Sequence, residues 1–237
     1  MSETLTESRP AGGDGSTSTS TPSEGSYGFS PAMVSVAGAV GPQAEAIRGL
    51  RTHIMAQHIN HGRRALAICG PSIGVGCSFT AANLAVSLSQ IGVKTLLIDA
   101  DLRRPSIDIL IRPPHEPAGL ANCLRSLDTP FGASIDADVL PNFSVLYAGR
   151  AAESPQELLA GDRFRALMNF CLREFDVTIV DTPPANTSSD ARRISDVVGY
   201  SLIVTARDKT AVRDVKVLIN QLRADHTLVI GTVMNRA

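Results

Sequence analysis

Lysine is scarce in this 237-residue chain: only Lys94, Lys209 and Lys216 occur. Lys and Arg together number 22 against 23 acidic residues, giving a net charge of −1. So balanced a chain has no field to attract a nucleic acid, and none is expected as a partner. No apolar run approaches the roughly 20 residues of a membrane-spanning helix. The polar N-terminus carries no secretory segment either. Cys69, Cys77, Cys123 and Cys171 show no CxxC spacing and no paired histidines nearby. That argues against zinc and for reduced thiols in a cytoplasmic protein. Tyrosine is equally rare, with Tyr27, Tyr147 and Tyr200 alone. His58 and His61 lie one helical turn apart without the Glu of an H-E-x-x-H motif, and read as a polar helix end.

What is present is a core-forming chain, 43% hydrophobic. Residues 1–33 are rich in Ser, Thr, Gly and Pro and cannot offset their ordering entropy, so a disordered tail is expected there. A single domain is expected over 34–237. Strands are predicted near 64–69, 94–99, 143–148, 176–181, 200–205 and 227–234. Helices are predicted over 42–58, 78–91, 161–174 and 210–224, with shorter ones near 105–111, 119–127 and 154–160. Ala46, Ile47, Leu50 and Ile54 supply the buried stripe of the first helix. Runs such as Leu96-Leu97-Ile98 and Val177-Thr178-Ile179-Val180 are apolar on both faces. The predicted fold class is therefore α/β, a mostly parallel sheet sandwiched by helices.

Ligands of such sheets sit beyond the carboxyl ends of the strands, where the unusual residues fall. The run Ala65–Cys69 breaks into Gly70-Pro71-Ser72-Ile73-Gly74-Val75-Gly76-Cys77-Ser78, and helical periodicity resumes at Phe79. A strand, a glycine-rich turn and a helix start hold phosphate, because successive N–H groups converge on the anion. The candidate nucleotide-binding residues are Ser72, Ile73, Gly74, Val75, Gly76, Cys77, Ser78 and Phe79. One position departs from the P-loop pattern: Cys77 stands where a lysine precedes the Ser/Thr. Asp99 and Asp101 close a second strand, followed by Arg103 and Arg104, and Asp181 closes a third. A lone Asp at a strand end is ordinarily a turn former. Three of them beside a phosphate loop and the Ser78 hydroxyl are the hard oxygen donors that Mg²⁺ requires.

These segments resemble the Walker A, Walker A′ and Walker B motifs of the bacterial tyrosine kinases (BY-kinases), which have a MinD-like P-loop NTPase fold and serve capsule and exopolysaccharide assembly. The resemblance covers about residues 34–237. It takes in Ser154-Pro155-Gln156-Glu157-Leu158-Leu159 and Ser189-Asp190-Ala191. It implies ATP or ADP with Mg²⁺ as ligands, the metal held by Ser78, Asp99 and Asp181, and Asp101 as base toward a tyrosine hydroxyl. Arg103 completes Walker A′, and Asn235 and Arg236 lie where relatives approach the adenine. Glu45-x-x-Arg48-x-x-Arg51 has the spacing of an ordinary solvated helix face. The resemblance instead implies a motif for assembly into a homo-oligomeric ring. It also implies a Wzz-like membrane polysaccharide co-polymerase as partner, hence a cytoplasmic chain held peripherally at the inner membrane.

Two departures from the family shape the functional expectation. Cys77 removes the ammonium that neutralises charge on the β- and γ-phosphates, and the last residues carry no tyrosine cluster. The expected function is an ATP-binding regulator of exopolysaccharide or capsule polymerisation and export, with kinase activity weakened or lost. A competing pattern is the G-x-S-x-G elbow at Ser72, with an Asp and His226 in the order of a serine hydrolase. His226 precedes its strand whereas Ser72 follows one, which places them at opposite sheet edges. A MinD-like partitioning ATPase is the other alternative, although Ser72 replaces its signature lysine and no basic amphipathic helix ends the chain.

Overall fold

The computed structural model describes residues 26–36 and 39–236. In chain order these form β1 (Gly28–Phe29), α1 (Pro42–Gln57), β2 (Ala65–Cys69), α2 (Cys77–Ser89), β3 (Thr95–Asp99), α3 (Ile107–Leu110), β4 (Ile111–Arg112) and α4 (Gly119–Arg125). There follow β5 (Asp136–Leu140), β6 (Phe143–Leu146), α5 (Pro155–Ala160), α6 (Asp162–Glu174), β7 (Val177–Asp181), α7 (Asp190–Val198), β8 (Tyr200–Ala206), α8 (Val212–Ala224) and β9 (Leu228–Asn235). Seven strands make one sheet in the order β5-β6-β3-β7-β2-β8-β9. All pairs are parallel except β5 with β6. The expected α/β architecture is the one observed.

Alternation along each strand sends its side chains into two cores. Ala65, Ala67, Cys69, Leu96, Ile98 and Val180 face α4 to α8. Leu66, Ile68, Leu97, Ile179 and Val204 face α1, α2 and α3. Helix α2 is buried continuously from Thr80 to Ser89, so its start, where the glycine turn ends, is fixed by the core behind it. Each fully buried Leu or Ile contributes roughly 1.5–3 kcal/mol relative to exposure.

Several expectations need correction. The boundary at 33/34 falls inside a packed segment: β1 pairs with β4, Met33 is buried, and the Ser35 N–H donates to Asn83 Oδ1 at 3.0 Å. Residues 1–25, the rest of the expected tail, lie outside the described residues. On α1 the buried residues are Ala44, Ile47 and Ile54, whereas Ala46 is exposed and Leu50 only partly buried. His58 is not a polar helix end but a fully buried ring whose Nε2 lies 3.0 Å from the Ala65 carbonyl; His61 is exposed.

Candidate functional site

The glycine turn is shaped by two left-handed residues, Gly74 (φ 74°) and Gly76 (φ 95°). At Gly76 a side chain is excluded twice over. The positive φ disfavours it, and a Cβ would collide with the Asn235 amide. That amide donates from Nδ2 to the Val75 carbonyl at 3.1 Å, so the end of β9 props the loop from within. The loop's other side is tied to the segment after β7: Ala185 and Asn186 donate their N–H groups to the carbonyls of Gly70 and Pro71. Among the described residues, the main-chain N–H groups from Ser72 through Phe79 donate to no protein acceptor. A run of free donors at the start of a buried helix is a nest for an anion.

The sheet register brings the carboxylates together. Asp99 and Asp181 are paired positions of β3 and β7, and Asp181 is also level with Ile68 of β2. Their surroundings differ. Asp99 Oδ2 accepts N–H bonds from Ser106 (3.1 Å) and Ile107 (3.0 Å), and Oδ1 accepts one from Asp101 (3.1 Å). Both oxygens of Asp181 are fully buried and accept no hydrogen bond of good geometry among the described residues, although the Ser78 hydroxyl and the Thr182 N–H lie close enough to oppose the rise in its pKa. Burial, and then the Asp99 charge, push the Asp181 carboxyl well above the usual carboxylate range. Burial also raises Asp99, opposed by its three N–H bonds. Asp101 Oδ1 accepts from Arg103 N (3.1 Å) and Arg104 N (2.9 Å), and burial raises that carboxyl too. Ser106 Oγ donates to Ser78 Oγ at 2.8 Å.

Bare Asp181, the Ser78 hydroxyl and the adjoining carboxylates are oxygen donors that suit Mg²⁺. Among the described residues no three His, Cys, Asp or Glu side chains form a self-sufficient metal cluster. Mg²⁺ matches such a set, because it draws most of its ligands from water and phosphate.

Cys77 is partly buried, with its sulfur close to Gly70, where a Cβ would strike it. Burial first, then the Asp181 carboxylate, push its pKa well up. The lowering that a helix start can give a thiol is outweighed here. Arg103 is committed elsewhere: its Nε donates at 2.6 Å to Asp190, a buried carboxylate at the start of α7.

Ser72 to Phe79, Asp101, Arg104, Ser106 and Thr182 line one cavity of about 280 Å³. Through Phe79 it adjoins a more apolar cavity of about 320 Å³ between α1 and β9, which Asn235 and Arg236 border. The loop, Asp101, Asn235 and Arg236 thus converge on one end of the sheet. Arg104, Ser106 and Thr182 were not singled out as site residues in the sequence. Only Arg104 carried a signal, as the second of two guanidiniums after β3. Glu45 and Arg48 form an exposed ion pair at 3.0 Å on α1, whereas Arg51 Nη1 donates to the Ser87 carbonyl (3.2 Å) and hydroxyl (3.3 Å) on α2. Ser72 and His226 do not meet: one follows β2 and the other precedes β9 in the parallel run β2-β8-β9, so the hydrolase geometry is absent.

Residues 66–236 match the family model described as the CobQ/CobB/MinD/ParA nucleotide binding domain. The putative tyrosine-protein kinase CapB of Staphylococcus aureus is 32% identical over 81% of this chain and 84% of its own length. The chain belongs to the bacterial tyrosine kinase family. A second BY-kinase relative, the putative tyrosine-protein kinase EpsB of Ralstonia solanacearum, is 31% identical over 82% of this chain, which spans 26% of EpsB. The solved kinase domain of the Escherichia coli tyrosine kinase ETK superposes with a TM-score of 0.81 at 28% identity, covering 92% of this chain and 83% of that one. The sheet and the nucleotide-binding domain of the BY-kinase family are therefore present. Among the described residues no helix is long and apolar enough to cross a membrane.

Proposed function

We propose that this BY-kinase domain binds ATP or ADP with Mg²⁺ at the Gly70–Ser78 turn. In that reading it acts as a nucleotide-responsive component of capsule or exopolysaccharide assembly, with phosphoryl transfer weakened or lost. The observation that carries the reading is the unengaged N–H run of Ser72–Phe79 facing a cavity whose loop has no lysine. Main-chain donors suffice to hold phosphate, whereas the missing ammonium removes stabilisation of charge that develops during transfer. Ser78 and Asp181 would hold the metal, with Asp99 beside them fixing the following segment. Asp101 stands where a base toward a tyrosine hydroxyl would act, and the base would lodge near Phe79, Asn235 and Arg236. The three tyrosines are poor acceptors in cis. Tyr147 is buried, Tyr27 donates to Asp136 and is pushed up to about 12 by burial and that carboxylate, and Tyr200 lies under Arg63.

The partner proposed is a Wzz-like membrane polysaccharide co-polymerase, which would place the chain peripherally at the inner membrane. Self-assembly into a ring would use the α1 face bearing Glu45 and Arg48. Titration of a fluorescent ATP or ADP analogue in the presence of Mg²⁺ tests the central reading. Saturation that requires Mg²⁺ and is lost in Asp181→Ala supports it. No saturable signal from the parent protein at millimolar nucleotide overturns it.

A further inference from the structure

The phosphate cavity has a cation, and it does not come from the loop. Of the side chains that line it, Arg104 is the one with a positive charge. Its neighbour Arg103 is bound to Asp190 and unavailable. The Arg104 guanidinium makes no hydrogen bond or ion pair among the described residues.

Its backbone, by contrast, is held from both sides. The Arg104 N–H donates to Asp101 Oδ1 at 2.9 Å. Two residues on, Ser106 is fixed to Asp99 Oδ2 through its N–H and to Ser78 through its hydroxyl. Pro105 lies between them with its φ locked by the ring. The stem of Arg104 therefore starts from a segment braced against both the carboxylate pair and the phosphate loop. Across the cavity stand the free N–H groups of the turn. Asp101 lines the same cavity, and its carboxylate would repel a polyphosphate unless a cation balanced it.

We propose that Arg104 supplies the positive charge that a lysine at position 77 would otherwise bring to the terminal phosphates of a nucleoside di- or triphosphate. This rests on the nucleotide-binding reading above. The substitution is not equivalent. A guanidinium presents a planar fork to two phosphate oxygens, whereas an ammonium is a point charge. Reaching in from the segment after β3 rather than through the loop, Arg104 clamps the phosphates from the opposite side.

Calorimetric titration of the full chain with MgATP, MgADP and adenosine, at two salt concentrations, separates the outcomes. Arg104→Ala should weaken MgATP and MgADP by roughly 10- to 100-fold, reduce the salt dependence of binding, and leave adenosine affinity and Tm as in the parent. Arg104→Lys should recover most of the loss. MgATP affinity within about twofold of a binding parent overturns the role of Arg104 while leaving the nucleotide reading intact. So does a loss shared equally by adenosine or accompanied by a lower Tm, since that marks a structural residue. A parent that binds neither MgATP nor MgADP overturns both.

Discussion

Asp99 and Asp181 occupy paired positions on adjacent parallel strands, yet one accepts three main-chain hydrogen bonds and the other accepts none. The contrast leaves Asp181 with more unused acceptor capacity than Asp99. A buried, unpartnered polar group costs on the order of 1–3 kcal/mol, and that cost is tolerated where a ligand later satisfies it. Asp181→Asn keeps the shape but removes the ionisable group, and with it the cost at neutral pH of burying a carboxyl that is ionised in the unfolded chain. Its Tm without ligand should rise, while Mg²⁺-dependent nucleotide binding is lost. Differential scanning fluorimetry with and without MgADP reads both effects, and a lower Tm in the variant would contradict this account.

Cys77 should be chemically quiet. Its thiol is tucked toward Gly70 and its pKa is raised by burial and the neighbouring carboxylates. Iodoacetamide at pH 7.5 should label it more slowly than a free model thiol, whose pKa is about 8.5. Rapid labelling blocked by nucleotide would show a reactive group instead. Cys77→Lys should raise ATP turnover, followed by phosphate release, because it restores an ammonium beside the γ-phosphate. An unchanged rate would contradict the reading that the missing lysine limits turnover.

The α1 face offers a test of self-association that spares the fold. Arg51 is engaged with Ser87 on α2, so its reversal would confound assembly with folding. Arg48 pairs only with Glu45 on the surface, and an exposed pair of this kind adds little to stability. Arg48→Glu should therefore lower the mass seen by light scattering at constant Tm. An unchanged mass would leave this face merely solvated.

His58 makes the fold sensitive to acid. Burial lowers its pKa, with Arg63 acting in the same direction and the Ala65 bond opposing. Because Nε2 must donate to Ala65, the ring is held neutral with Nδ1 bare. The unfolded chain takes up a proton below about 6.5, which the native ring resists. The stability from His58 is thus complete above that pH and is lost as pH falls below it. Tm measured from pH 7.5 to 5.5 should fall more steeply for the parent than for His58→Gln. Parallel curves would exclude the contribution.

The parallel strands were legible because burial on both faces writes a mostly apolar run, as in Leu96–Ile98 and, broken only by Thr178, Val177–Val180. Edge strand β5 was not, since it opens Asp136-Ala137-Asp138, has Asp138 at φ 54°, and slips register against β6. Pairing of β1 with β4 involves two residues on each side and leaves no periodic trace. At the site, the glycine spacing and strand-end acids announced themselves by type and position. Which carboxylate is bare, where the Cys77 sulfur points, and which of two consecutive arginines is free depend on contacts distant in sequence. Asp190, for instance, lies 87 positions beyond the Arg103 that it binds.

Because the Asn235 amide underpins the Val75 carbonyl, the curvature of the glycine turn is set in part by the outermost strand. Prising β9 from β8 would leave the turn without its inner prop. A ligand or neighbouring subunit that grips the exposed Met234 beside it would therefore have a mechanical handle on the turn while touching no part of it.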